Sequence, residues 1–315
     1  MNYREWSQSY LLYYVQPASK ARTYEQYSYL LQKHVVSYIG DKELCEITAL
    51  DLQKVFSTLL ISGNRRTGQG LAPSTVNTII TAVQGSFKAA VLAGEIKSDP
   101  SVSVKRPHVM PKQIESFSKE EQRRIEHYAM LSRPRMIGVV LCLYTGMRIG
   151  ELLALEWDDV DFFKNVIHIT KTCRDGSDGN TRIVDTPKTP KSRRTIPVPV
   201  SLMGLLHTAR RMAQTKYVVS EYGKPITIRA YQRSFKRLLK RAGVPHKGFH
   251  ALRHTFATRA AECGMDAKTI AEILGHKNPM VTLNLYVHSM EAHKTEMMNR
   301  VGSLLYPDIR DVRKK

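Results

Sequence analysis

At 315 residues the chain exceeds what one compact domain usually holds, so two domains are expected. Its 48 Lys plus Arg against 28 Asp plus Glu leave a formal charge of +20, which points to a polyanionic partner, nucleic acid before an anionic membrane. No apolar run approaches the ~20 residues of a membrane span, MNYREWSQSY lacks a signal-peptide core, and Cys45, Cys142, Cys173 and Cys263 are scattered without metal or disulfide spacing; a cytoplasmic protein is expected.

Residues 1 to about 108 read as helix throughout. The first segment runs from about Asn2 to Val15. Thr23 to Ile39 follows, with Tyr27, Leu30, Leu31, Val35 and Ile39 at helical spacing and Gly40 as the stop. Thr48 caps Ala49 to Ile61, with Asp51 in capping-box register. GNRRTGQG is a basic loop, Pro73 opens a long helix to about Leu92, and Gly94 closes it. Four such helices predict a small bundle. SVSVKRPHVMPKQI, Ser101 to Ile114, reads as an extended cationic linker, which sets a first domain at residues 1–108, a linker at 109–117 and a second domain at 118–315.

In the second domain Ser118 and Glu121 form a capping box. Met136 to Leu143 is an apolar helix, and Thr145 is expected to cap the next one, through Leu155. Strands are predicted at Val166–Thr170, at Thr181–Thr186 beyond a polar turn Asp175–Asn180, and at Arg193–Val198. Helices resume at Ser201. Ile228 to Ala242 is strongly basic, with Arg233, Lys236, Arg237, Lys240 and Arg241, and a DNA-facing and a solvated reading are equally open. Phe249 to Glu262 stops near Cys263-Gly264, Asp266 caps a short helix through Leu274, Gly275 ends it, and Asn278-Pro279 opens another that carries Tyr286. Leu304 to Lys315 is a short, basic-ended tail. The expected fold class is mainly α with a small antiparallel β-sheet.

The candidate chemistry concentrates between Lys247 and Ser289. His250 and Arg253, three apart, share a helix face and can reach one anion, while His276 sits at a helix end and Tyr286 arrives from a separate segment. A proton-transfer group, a fixed cation, a second imidazole and a phenol can thus converge on one phosphate. The plain alternatives are a hydrogen-bonded buried histidine, a C-cap imidazole and a packing tyrosine among 15. His288 points away from the Tyr286 face. His250 and His254 have metal-ligand spacing, but the glutamate of HExxH is missing and Arg253 between them repels a cation, so neither metal nor cofactor is expected. In LYTGMRIGELLAL, Arg148 is expected in the first helical turn, where an anion would meet free backbone N–H groups and a guanidinium, with Glu151 steadying it; an intrahelical surface ion pair is the alternative. In DTPKTPKSRRTIPV, Lys188 is the candidate for a hairpin lysine beside a backbone phosphate, Lys171 is second, and a solvated strand edge is the alternative.

Taken in order, R…K…HxxR…GH…Y resembles the tyrosine recombinases, the phage-integrase family. TGMRIGELLAL, PKTPKSRRTIPV, HALRHTFATR, LGH and TLNLY carry the likeness, which covers nearly the whole chain. The stretch LRHTFATRAAECGMDAKTIAEILGHKNPMVTLNLYVHS is especially similar to integrases of conjugative transposons and temperate phages. The resemblance implies a SAM-like core-site-binding bundle ahead of an α+β catalytic domain, acting on double-stranded DNA as a site-specific recombinase. It implies that Tyr286 attacks phosphorus to leave a 3′-phosphotyrosyl link and a 5′-hydroxyl, without metal or ATP. Arg148 and Arg253 would clamp the non-bridging oxygens, Lys188 protonate the leaving oxygen, His250 take the tyrosine proton and His276 hydrogen-bond a phosphate oxygen. A homotetramer on paired sites and accessory DNA-bending or directionality proteins are the implied partners, with no membrane. Family members often carry a further arm-binding domain, whereas here the sequence starts almost directly at the bundle, which leaves simpler recombinases of the Xer or DNA-invertase kind open. A type IB topoisomerase-like relaxing enzyme and a non-catalytic DNA-binding regulator on the same fold are the alternatives; a membrane-surface protein has the Ile228–Ala242 helix as its one support.

Overall fold

The computed structural model describes residues 1–64, 66–110, 115–132, 135–176, 178–185, 193–276, 295 and 298–302. The chain divides into two compact units, residues 1–112 and 113–315.

The first unit is helical. Asn2 caps α1 (Tyr3–Tyr10), its side chain accepting from the Glu5 amide at 3.0 Å. The expected first helix then widens into a π-helical stretch, Leu11–Val15, before a final turn α2 (Gln16–Ala18). The helix predicted over Thr23–Ile39 is in fact two, α3 (Ala21–His34) and α4 (Val36–Ile39). They part at Val35, whose φ of −118° lies outside α-helical geometry while its side chain is fully buried. α5 (Ala49–Ser62) starts from the Thr48–Asp51 capping box and α6 (Pro73–Leu92) from Pro73 in its first turn, both as predicted. Leu31, Leu52, Phe56, Ile79, Ile80 and Phe87 fill the core, each burial contributing about 1.5–3 kcal/mol. The Trp6 indole meets its polar need inside that core by donating to the Ser86 carbonyl at 3.1 Å.

The second unit is built around α8 (Ile137–Thr145), a predominantly apolar helix that is buried except at Tyr144. Before it, α7 (Lys119–Leu131) begins with the predicted Ser118–Glu121 capping box. Thr145 does not cap the next helix. It completes α8, its hydroxyl donating to the Leu141 carbonyl at 2.5 Å, and Gly146 at φ +62° stops that helix. α9 (Ile149–Ala154) follows with Arg148 in the N-cap position, so Arg148 lies just outside the first turn.

β1 (Val160–Asp161), β2 (Val166–Ile169) and β5 (Arg194–Pro197) form an antiparallel sheet in the order β1-β2-β5, with Ile167 opposite Ile196. β3 (Thr172–Asp175) and β4 (Arg182–Asp185) form a separate hairpin. The strand predicted after the polar turn pairs with β3, a strand that the sequence reading did not contain, and part of the expected turn, Asp175, is strand. The chain leaves the first sheet where Thr170 bonds Asp159 at 3.1 Å and Lys171 meets Glu156 at 2.7 Å. β3 then presses so closely on α9 that a Cβ at Gly150 would lie 2.7 Å from the Cys173 carbonyl. α10 (Val200–Arg211), α11 (Ile228–Arg241), α12 (His250–Glu262) and α13 (Ala267–Leu274) complete the unit. The Asp175 carboxylate caps α11, accepting from the amides of Ile228 and Arg229 at 2.6 and 2.9 Å. Among the described residues no helix is long and apolar enough to cross a membrane.

Candidate active site

Phe249 anchors the start of α12, its ring 5.1 Å from that of Phe235 and 5.6 Å from that of Tyr231. This places His250 at the accessible first position and turns Arg253 inward, where it is 3% exposed. Among the described residues Arg253 has no carboxylate within ion-pair distance. It donates to the Gly146 carbonyl at 2.8 Å and to the Leu274 carbonyl at 2.7 Å, at the C-terminal ends of α8 and α13. Such carbonyls lack intrahelical partners and carry the negative end of the helix dipole, so they suit a buried cation. Burial and the neighbouring Arg148 push the Arg253 guanidinium down to about 9, which leaves it charged at neutral pH.

Arg148 approaches from the N-cap of α9 with its side chain 40% exposed. Its Nη1 donates to Glu151 Oε1 at 2.8 Å and its Nη2 to the Gly275 carbonyl at 3.1 Å. The Arg148 amide also donates to Glu151, at 2.8 Å, so that N–H is occupied by the carboxylate and not open to an anion as expected. Nor is the pair a plain surface contact. The Glu151 side chain is 7% exposed and takes a two-point fork from Arg194, equally buried, at 3.0 and 2.8 Å. Burial alone would raise the Glu151 carboxyl, but the Arg194 and Arg148 guanidinium groups hold it down at about 2.

α13 delivers the third group. Asp266 caps it, accepting from the Thr269 amide at 2.9 Å, and Gly275 at φ +65° ends it. The His276 amide closes the helix end by donating to the Ala271 carbonyl at 2.9 Å. Desolvation, then Arg253 and Arg148, lower the His276 imidazole to about 4. The same causes lower His250. His254, one turn beyond His250, is lowered to about 4 by burial, His250 and Arg253, and the two rings meet edge to face with centroids 4.6 Å apart. Among the described residues, Arg148 and Arg253, with Arg194 behind them, thus share one locus with three imidazoles whose pKa values are lowered.

The structure brings together Arg148, His250, Arg253 and His276. Lys188, Tyr286, His288 and the helix expected from Asn278-Pro279 lie outside the described residues. Lys171, the second choice to Lys188, is held by Glu156 at 2.7 Å and Asp159 at 3.4 Å; burial works against its charge, but these carboxylates raise its pKa. Two neighbours escaped the sequence reading. Arg194 shares a strand face with buried Ile196, a period-two signal, and His254 was weighed there solely as a metal ligand. Among the described residues no group of three or more His, Cys, Asp and Glu side chains gathers as a metal site. Elsewhere in the unit, the basic face of α11 lines a groove of about 830 Å³ with Arg233, Lys236, Arg237 and Lys240, joined by Arg135 and Glu221.

The sequence pattern of the phage integrase family matches residues 108–293, and that of the phage integrase N-terminal SAM-like domain matches residues 2–60. The chain is 29% identical to a tyrosine recombinase XerC-like protein of Caldanaerobacter subterraneus subsp. tengcongensis, over 94% of this chain and 81% of that one. It is 26% identical to the ICEBs1 integrase of Bacillus subtilis, over 91% of this chain and 79% of the relative. Among solved structures, the Tn1549 transposon integrase in complex with transposon right-end DNA superimposes with a TM-score of 0.80 at 21% identity, covering 96% of this chain and 100% of the other. A lambda integrase dimer bound to a core site does so with a TM-score of 0.68 at 18% identity, covering 91% and 95%. Those structures share the two-part, mainly helical fold described above. With its family pattern spanning more than half of the sequence, the chain belongs to the phage integrase family.

Proposed function

We propose that this chain is a site-specific DNA recombinase that cuts and rejoins double-stranded DNA through a 3′-phosphotyrosyl intermediate. The observation that carries the reading is the convergence of Arg148 and Arg253 with the neutral imidazoles of His250 and His276 around the end of α13. Two fixed guanidinium groups suit the non-bridging oxygens of a phosphodiester, whose charge grows as a nucleophile adds; losing one such stabiliser typically costs ~10²–10³ in rate. A neutral imidazole accepts a proton at physiological pH, and His250 is the accessible one, suited to the attacking phenol, while His276 hydrogen-bonds a phosphate oxygen. Tyr286 as nucleophile and Lys188 as the acid that protonates the leaving 5′-oxygen are proposed from the family motif that they complete.

The 5′-hydroxyl of a second duplex reverses the step and exchanges strands, so the bond energy is kept and no ATP is consumed. We propose a homotetramer on two paired sites, acting in the cytoplasm with accessory DNA-bending or directionality proteins. The net charge of +20 and the basic groove along α11 support a partner held largely through its phosphates. The solved relatives are consistent with this: a lambda integrase is a dimer on a core site and a tetramer on a Holliday junction.

The test incubates the protein with negatively supercoiled plasmid in EDTA, quenches with detergent and looks for protein covalently attached to DNA, with Tyr286→Phe alongside. The expected result is adduct from the wild type and none from the variant. Where plasmid alone is silent, DNA from the junctions of the host mobile element is used, and silence there with DNA binding intact overturns the enzyme reading in favour of a regulator. Sequencing the adducted DNA locates the site.

A further inference from the structure

Three arginines from three separate elements meet three consecutive carbonyls at the end of α13. Arg194 Nε donates to Ile273 at 2.6 Å, Arg253 Nη2 to Leu274 at 2.7 Å and Arg148 Nη2 to Gly275 at 3.1 Å. Arg253 and Arg148 belong to the site proposed above. Arg194 does not face outward: its side chain is 7% exposed, and both terminal nitrogens lie on the Glu151 carboxylate. Glu151 in turn holds both the amide and Nη1 of Arg148. Arg194 therefore reaches Arg148 by two routes, through the Glu151 carboxylate and through the backbone from Ile273 to Gly275. The fit is close, since a Cβ on Gly275 would lie 3.1 Å from Arg194 Cδ and Nη1.

We infer that Arg194 is a positioning residue for DNA cleavage, locking the guanidinium of Arg148 and the His276 end of α13 into one frame. The inference rests on the recombinase reading. Without Arg194, Glu151 loses its fork and the Ile273 carbonyl loses its donor, so both supports of the half-exposed Arg148 slacken together. Misplacing a group aimed at the reacting phosphate by ~1 Å costs about a hundredfold in rate. DNA affinity, spread over many phosphate contacts, changes far less.

The test measures covalent adduct formation by wild type, Arg194→Met and Arg194→Lys on a duplex carrying the cleavage site recovered from the plasmid experiment. The scissile linkage is either a phosphodiester or an uncharged methylphosphonate. On the phosphodiester at saturating protein, Arg194→Met is expected to be slower by about tenfold to a hundredfold, with half-saturation nearly unchanged. On the methylphosphonate the deficit shrinks, because a neutral centre has less need of a well-placed cation. Arg194→Lys, which keeps a charge beside Glu151 but not the fork, falls between. Equal deficits on the two linkages, or unchanged rates, overturn the inference while leaving the recombinase reading intact. Should Arg194→Met fail to fold, as its circular dichroism would reveal, the same comparison of linkages is decided on Arg194→Lys. Absence of adduct from the wild type overturns the recombinase reading and this inference with it.

Discussion

The guanidinium of Arg253 donates to the carbonyl of Gly146 across 2.8 Å, although 107 positions separate them in the chain. That bond ties α12 to the turn from which Arg148 extends, and the second bond, to Leu274, ties both to the end of α13. One buried cation thus organises three helix ends around a single locus.

Removing that cation is expected to unfold as well as to inactivate. In Arg253→Ala the buried carbonyls of Gly146 and Leu274 lose their donor, at a cost of ~1–3 kcal/mol each. Urea denaturation should register a loss of roughly 2–6 kcal/mol. Arg253→Lys, with one donor head in place of a fork, should retain part of the stability. A melting midpoint equal to wild type for Arg253→Ala would contradict the assigned bonds.

Gly146 and Gly94 offer a matched pair. Both have positive φ, +62° and +78°, but a Cβ at position 146 would lie 2.4 Å from Leu274 Cδ2 and 2.6 Å from Phe256 Cδ1, whereas position 94 opens to free space. Gly94→Ala should cost about 1 kcal/mol through backbone strain alone. Gly146→Ala adds overpacking, for a total of about 2–4 kcal/mol. Thermal melts of the two variants check the ordering.

Glu151→Gln keeps the shape of the side chain and removes its charge, leaving Arg194 buried without its counter-ion. Breaking a buried pair in this way typically costs ~3–5 kcal/mol, and a comparable loss is expected in chemical denaturation. The linkage has a definite sign. The folded carboxyl titrates at about 2, below its ordinary value of 4.5, so its contribution is fully present above pH 4.5 and fades as pH falls toward 2. Stability curves of wild type and Glu151→Gln should therefore approach each other in that window.

The histidines act at higher pH. His254 and His276 are depressed from 6.5 to about 4, so the unfolded chain binds their protons before the folded one does. Stability from these groups is intact above pH 6.5 and is lost progressively down to about 4. His254→Gln should flatten that slope when denaturation midpoints at pH 7, 5.5 and 4.5 are compared. The adduct rate should keep its base limb below the ordinary histidine pKa, because desolvation, Arg253 and Arg148 lower His250.

Much of the second unit was legible because its signals are local. Ser118–Glu121, Asp266–Thr269 and the glycine at 275 act within one helical turn, so their side chains and spacing alone set where helices begin and end. His250 and Arg253 could be placed on one turn for the same reason. Thr145 misled because a good N-cap residue is equally able to bond back to the carbonyl four residues before it, and the preceding apolar run, buried by packing, extended over it. The strand at Thr172–Asp175 went unread because it follows β2 without a turn signal and shows itself through its pairing with β4.

By itself the sequence determined the two-part helical plan, the strongly basic character of the chain and the ordered motif from Arg148 to Tyr286. The tertiary structure alone decided that Arg253 is satisfied by carbonyls instead of a carboxylate, that Glu151 is buried under Arg194, and that His254 stands beside His250. The division has a physical cause. Caps and helix faces depend on bonds three or four residues long, whereas the partner of a buried charge is whichever group packing brings within about 3 Å, and that follows from how the helices stack.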